Sequence, residues 1–380
     1  MGPLAGIKII ELKGIGPGPY AGMLLADMGA EVIVVERSRQ PNGIASAAAK
    51  DINSRGKKSI ALNLKNQQGV ETLLKLVESA DMLLEGFRPG VAEKLGIGPD
   101  VCHARNPGLI FGRITGWGQT GPLSKVAGHD INYISIAGAL GSIGTEEKPI
   151  APLNLVGDYA GGSLFLVMGM LAALNERNQS GKGQVIDAAI TEGTASLMSV
   201  FYSLHNMGQW TTDRASNLLD GGAHFYDTYE TADNKFVSIG PIEPQFYQLL
   251  IETIELDTEI FGDQNDTNNW PLQKEALAKV FKGKTRDQWC ELLEGSDACF
   301  APVLDFLEAT KHPHNIARST FIETDGIVQP GVAPKFSRSE CAIPTKPIAE
   351  GADTESVLKD MGLSDNDIQQ LLSSGAVPTK

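Results

Sequence analysis

Two short stretches place a titratable side chain where a loop breaks into an apolar segment. Gly128-His129-Asp130-Ile131-Asn132-Tyr133 leads into Ile134, Ile136, Ala139 and Leu140, a set compatible with one helical face. Asn154-Leu155-Val156-Gly157-Asp158-Tyr159 leads into an almost uninterrupted apolar run from Leu164 to Leu174, read as too short and too polar-flanked to span a membrane. At a helix start the backbone N–H groups are free and the dipole is positive, so developing negative charge is favoured there. An imidazole and a carboxylate so placed could move a proton and steady an oxyanion. Each also has a plainer reading: Asp158 as an N-cap, His129 as a hydrogen-bonded structural residue. The chemical reading draws weight from their company, the glycine-rich loop GWGQTGP at 116–122 and GPIEPQFY at 240–247.

Composition bounds the rest. At 380 residues, 42% hydrophobic and 21% charged, the chain can bury a large core and is long enough for two domains. A net charge of −14 argues against nucleic acid or an anionic membrane as partner. Cys102, Cys290, Cys299 and Cys341 are scattered without ligand-like grouping, so neither a disulfide framework nor a metal site is expected. His312-Pro-His314, the nearest approach to a metal pair, reads as a loop. The amino terminus lacks a basic region followed by an apolar core. A soluble, cytoplasmic protein is expected.

The elements that must position these residues alternate. Ile7–Leu12 reads as a strand, 14–19 as a turn and Tyr20–Met28 as a helix closed by Gly29. Glu31–Glu36 is a β-branched run of the kind found in buried parallel strands. This βαβ unit invites a dinucleotide fold, but Gly14-x-Gly16-x-x-Pro19 lacks the third glycine, and Pro17 and Pro19 remove amide donors. The architecture is kept and the nicotinamide or flavin inference set aside. Strands at Ser59–Leu64, Met82–Glu85 and Leu109–Thr115 alternate with helices at Gln68–Ser79 and Pro99–Asn106, predicting a Rossmann-like α/β parallel sheet covered on both faces. Leu197–Met207 reads as a helix, and Tyr226–Glu230 with Lys235–Ile239 as a hairpin through Asp233-Asn234. Helices at Gln245–Glu255, Leu272–Phe281 and Arg286–Glu294 make the second domain α+β. The expected organisation is a large domain over 1–204, a linker over 205–222, a small domain over 223–324, and a return linker with two capped helices over 325–380 that complete the large domain.

Positive charge gathers near strand ends. Arg37 and Arg39 follow the second strand, Lys65 the third and Arg88 the fourth, while Arg55, Lys57 and Lys58 precede the third. On so acidic a chain this suggests a small polyanionic ligand. For Arg55 to Lys58 a solvated lysine-rich loop is equally open; for Arg37 and Arg88 the ligand reading is favoured.

With the motifs placed, the sequence resembles the α-methylacyl-CoA racemases of the family III CoA-transferase (CaiB/BaiF-like) superfamily. The match runs through EGFRPGV at 85–91, GRITGWGQTGP at 112–122, GHDINYIS at 128–135, NLVGDYAGGS at 154–163, GKGQVIDAA at 181–189 and IEPQFY at 242–247. The resemblance implies an acyl-CoA substrate, no further cofactor or metal, and an interlocked homodimer with active sites shared between subunits. It assigns His129 with Asp158 to one acid/base unit, Glu243 to the opposing one, and Asn154 and Tyr133 to substrate positioning. It assigns Arg37, Leu64, Lys65, Arg88 and Lys94 to coenzyme A, with Arg37, Lys65 and Arg88 at its nucleotide end. One departure is His224, where racemases commonly carry Pro; it implies either an altered acyl pocket or only a changed loop.

These residue types suit the implied chemistry. Inverting an α-carbon beside a thioester needs a base on one face, an acid on the other and stabilisation of the enolate oxygen. The helix dipole pushes His129 toward its neutral form, while Asp158 pushes the other way and orients the ring. Glu243, among Ile242, Pro244 and Phe246, is expected to be partly desolvated and so raised in pKa. By composition alone it is a surface-loop glutamate. The rival chemistry is CoA transfer, with Asp158 as nucleophile forming a mixed anhydride.

Overall fold

Six strands pair into one parallel sheet in a computed structural model that describes residues 1–37, 51–341, 343 and 346–378. The strands are β1 (Lys8–Leu12), β2 (Glu31–Glu36), β3 (Lys57–Ala61), β4 (Met82–Glu85), β5 (Ile110–Thr115) and β6 (Val185–Ala189). Their order is β3-β2-β1-β4-β5-β6, and every neighbouring pair is parallel. This is the doubly wound order, which reverses between β1 and β4 and opens a crevice at the strands' carboxyl ends.

Alternation along each strand feeds two cores. Ile10, Leu83 and Phe111 pack with Leu73 and Val77 of α2 (Gln67–Glu78) and with Leu358 and Ile368 of the carboxyl-terminal helices. Ile9, Met82, Leu84 and Ile110 pack on the other face against Ala21 and Leu25 of α1 (Pro17–Asp27), and against Leu166 and Met170. Burial on both faces explains why these strands read as continuous apolar runs.

The chain divides into two compact units. One comprises Met1–Ala137, Leu153–Leu197 and Ser319–Lys380; the other comprises Gly138–Pro152 and Met198–Arg318. The second unit carries an antiparallel sheet of β7 (Asp227–Glu230), β8 (Phe236–Ile239) and β9 (Phe300–Val303). Its core joins Phe225, Tyr229, Tyr247, Phe261, Trp270, Phe281 and Trp289.

Several elements depart from expectation. β3 spans Lys57–Ala61, starting before Ser59 and ending before Leu64. β6 and β9 were not foreseen, because neither shows an apolar alternation. The helix expected over Leu197–Met207 is present as Ser199–Asn206, and a separate helix that was not foreseen, Ile190–Leu197, precedes it. Across the expected boundary between the small domain and the return linker lies the hairpin of β10 (Phe321–Thr324) and β11 (Ile327–Pro330). Its turn residues Asp325 and Gly326 both have positive φ, as a two-residue hairpin loop with strand-matching twist requires. The apolar run Leu164–Leu174 is part of a continuous helix, Leu155–Ser180. By length and composition alone that helix, with 26 residues and a mean hydropathy of 1.5 in its most apolar window, is long and apolar enough to cross a membrane, as core helices of soluble proteins also are.

Candidate active site

The segment that carries Asp158 is wound more widely than an α-helix. Leu155–Leu164 forms a π-helix that continues into the α-helix Phe165–Ser180, and Tyr159 N–H reaches back five residues to Asn154 O at 3.2 Å. Asn154, not Asp158, is its N-cap. The capping reading of Asp158 therefore fails, because the helix begins four residues earlier than the apolar pattern indicates. π-helical turns cluster at functional sites, since the extra residue re-aims neighbouring side chains.

Asp158 is half-buried beside the end of β1. A methyl group at Gly16 would lie 3.2 Å from its Oδ2, and Gly16 itself has φ 75°. The second glycine of the Gly14-x-Gly16 turn thus makes room for a carboxylate of this chain. Burial pushes the Asp158 carboxyl up to about 6; neighbouring Asp130 adds to the rise, while a hydrogen bond with Asn154 and the charge of His129 oppose it. Ser163 Oγ lies 2.7 Å from Pro17 O and 3.1 Å from Asp158 O, tying the π-helix to the first turn of α1.

Asp130 was not singled out in the sequence, yet it organises the site. It is buried, and its Oδ1 accepts from Asp158 N–H at 2.7 Å. Gly157 permits the approach, since a Cβ there would stand 2.3 Å from that oxygen. Burial raises the Asp130 carboxyl as well, against the pull of the Asp158 and Gly157 amides. The only sequence signal was its place after His129, where an acidic first-turn residue is common.

His129 is the N-cap of the helix Asp130–Ile136, in extended conformation with φ −133° and an exposed side chain. Asn132 Oδ1 accepts its backbone N–H at 3.1 Å. Tyr133, one turn on, sets its ring edge-on to Trp117 at 4.8 Å and donates its hydroxyl to Gly128 O. Burial raises the Tyr133 phenol, the charge of Asp158 adds to this, and Arg88 opposes it. His129, Asn154, Asp158, Tyr133 and Arg88 thus converge in the first unit. The glycine-rich loop beside them is pinned by Asp187 of β6, whose Oδ2 accepts from Gln119 N–H at 2.9 Å.

The other candidate coenzyme contacts lie past the carboxyl ends of the same sheet. Arg37 follows β2, Lys65 follows β3, and Lys94 ends the short helix Val91–Lys94; all three are exposed. Leu64 is half-buried against the α2 core. The loop between β4 and that helix is braced from β5: Arg113 Nε meets Glu85 Oε1 at 2.8 Å and its Nη1 meets Glu93 Oε1 at 2.7 Å. A cavity of about 640 Å³ lies apart from Asp158, lined by Arg37, Ala61, Gly351, Thr354 and Lys359 among others. Arg39 lies outside the described residues.

Arg55 and Lys57 fit neither of their expected readings. They lie at the amino end of β3 and are buried in internal pairs: Arg55 with Asp27 at 2.6 Å, Lys57 with Glu11 at 2.6 Å. Arg55 also donates to Gln329 Oε1 at 2.9 Å and Pro330 O at 2.7 Å, holding β11 against α1. Lys57 reaches Pro19 O at 2.8 Å, and burial pulls its ammonium down against the attraction of Glu11. Lys58 pairs with Glu31 on the surface. Acidic partners distant in sequence account for the basic cluster.

Glu243 belongs to the second unit, as N-cap of the helix Pro244–Thr253. Its side chain is exposed, and so is Ile242, so the desolvation expected of it is not supplied by this chain. His224 is a core residue of the same unit: fully buried, with Nε2 2.7 Å from Tyr247 OH, and pulled down to about 4 by burial. His312 caps the helix Pro313–Ala317 and pairs with Glu294 at 2.8 Å.

Comparison with known proteins places this chain in a family. An alpha-methylacyl-CoA racemase of Mus musculus is 46% identical over 379 residues, covering 98% of this chain and 97% of that protein. The Homo sapiens protein of the same name is 43% identical over 374 residues, covering 97% and 96%. A CAIB/BAIF family protein from Brucella suis, 24% identical, superimposes with a TM-score of 0.79 over 95% of this chain and 99% of its own, and so shares the fold. Residues 4–354 match the sequence profile of CoA-transferase family III, and the chain belongs to that family.

Proposed function

We propose that this protein inverts the α-carbon of 2-methylacyl-CoA thioesters by 1,1-proton transfer through an enolate. The observation that carries the reading is the half-buried Asp158 carboxyl, raised to about 6 beside the exposed His129 and hydrogen-bonded to Asn154. A proton-handling pair works best when its affinity lies near the operating pH. Relatives that are 46% and 43% identical and named alpha-methylacyl-CoA racemase support the substrate class.

In this reading one base takes the α-hydrogen, and the electron pair moves into the thioester carbonyl to form an enolate. An acid on the opposite face then returns a proton to the α-carbon. His129 with Asp158 serves one face, Glu243 the other; Asn154 lies near the thioester oxygen. No metal or redox cofactor enters. Arg37, Leu64, Lys65, Arg88 and Lys94 hold the coenzyme A portion.

The reading includes a homodimer whose sites combine the first unit of one subunit with the second unit of its partner. Large apolar side chains exposed in a single chain support it. They include Leu155, Leu164 and Met168 on the long helix, and Val200, Tyr202 and Met207 in the second unit. Such a dimer would bury the apolar helix in protein and would cover Glu243.

The test is incubation of each enantiomer of a 2-methylacyl-CoA in D₂O, following the α-position by mass or NMR. Exchange from both enantiomers, without a free acid acceptor, is expected. The second reading, CoA transfer through an Asp158 anhydride, is favoured by the family's transferase members. Absence of exchange, with coenzyme A moving onto an added carboxylic acid, would establish it instead.

A further inference from the structure

The proposed function gives Glu243 a role but does not say what holds it. Glu243 ends a three-residue loop, Gly240-Pro241-Ile242, that leaves β8 and enters the helix Pro244–Thr253. Proline on both sides deprives this stretch of amide donors, so its shape depends on who satisfies its carbonyls. Gln264 does so. Its Nε2 donates to Pro241 O at 2.9 Å and to Ile242 O at 3.0 Å, and the residue is 7% exposed. Two carbonyl acceptors can be met only by the –NH₂ end, so the orientation of this amide is fixed by its partners. Gln264 is itself held, because Trp270 Nε1 donates to its backbone oxygen at 2.9 Å. The far side of Glu243 is anchored to the same region: Tyr247 N–H donates to Glu243 O at 3.0 Å, and the Tyr247 hydroxyl lies 3.1 Å from Phe261 O.

We propose that Gln264 is a positioning residue for Glu243, its side-chain amide clamping the two carbonyls before the acid/base residue so that the exposed carboxylate is presented in one place. This rests on the two-base reading above. A carboxylate on an unclamped loop would sample many positions, and a 1 Å misplacement of a reacting group can cost up to about 10²-fold.

Gln264→Glu tests it, because the change is isosteric and turns the clamping donor into an acceptor facing two carbonyls. Racemisation must fall equally in both directions, since the enantiomers are isoenergetic. The informative readout is therefore α-hydrogen exchange with retention of configuration, measured for each enantiomer in D₂O. Exchange of the enantiomer served by Glu243 should slow about tenfold or more, while exchange of the enantiomer served by His129 changes less than about threefold. Equal loss for both enantiomers, or no loss, would overturn the proposal. Should Gln264→Glu fail to fold, Gln264→Met removes the donor without adding charge and is read the same way. Glu243→Gln is the parallel control. If that variant exchanges both enantiomers at the unmodified rate, the two-base reading falls and this inference with it. If Glu243→Gln is selective and the Gln264 variants are not, only this inference falls.

Discussion

Replacing Asp158 with Asn should stabilise the fold while disabling the chemistry. The carboxyl is raised from its ordinary 3.8 to about 6, chiefly by burial and then by Asp130. At about 1.4 kcal/mol per tenfold change in proton affinity, this is a ceiling of about 3 kcal/mol held against the ionised folded state. Asp158 is partly open to solvent, so screening brings the figure to about 1–2 kcal/mol. The folded carboxyl keeps its proton up to about pH 6, whereas the unfolded one releases it near pH 4. Between those values the folded state binds more protons, so wild-type stability falls as pH rises and stays reduced above pH 6. The substituted amide cannot ionise, so the variant's advantage should be small at pH 4.5 and reach about 1–2 kcal/mol at pH 7.5. Urea denaturation followed by circular dichroism at the two pH values, at one protein concentration, measures it. Isotope exchange at pH 7.5 should fall by roughly 10²–10⁴-fold in the same preparation. A variant less stable than wild type at pH 7.5, or a difference independent of pH, would show that Asp158 is not strained by its surroundings.

Two further outcomes follow from the sheet. Arg37→Ala should raise KM for the acyl-CoA about tenfold or more with kcat nearly unchanged, since the phosphate contact proposed for it, apart from Asp158, binds ground and transition states alike. The effect should vanish for the pantetheine thioester; equal losses on both substrates would make Arg37 structural. Lys57→Met leaves Glu11 buried without its partner and should cost about 3–5 kcal/mol, measured by denaturation. The double variant Glu11→Leu/Lys57→Met should recover most of that loss, and no recovery would mean the pair is not the source of the cost.

The parallel sheet was legible because strands buried on both faces must be apolar at every position, as Val32 to Val35 are. β6 was not, because Val185 and Asp187 are exposed and Ile186 half-buried, so no run marks it. The basic cluster at 55–58 misled for a related reason. A cation's partner need not be near it in sequence: Asp27 and Glu11 arrive through α1 and β1, and Gln329 from the far end of the chain. His224 stood out as a departure from a pattern, but its burial against Tyr247 shows a residue whose neighbours, not its type, set its role.

Residue type and order by themselves determined the architecture of alternating strands and helices, and they offered His129 and Asp158 as candidates for proton transfer. Tertiary structure alone decided the strand order that puts its crevice between β1 and β4, the π-helical winding that frees Asp158 from capping, and the part played by Asp130. Desolvation and charge fields are properties of what surrounds a group in space. Asp158 acquires its proton affinity from a burial and a neighbouring Asp130 that a linear chain does not display.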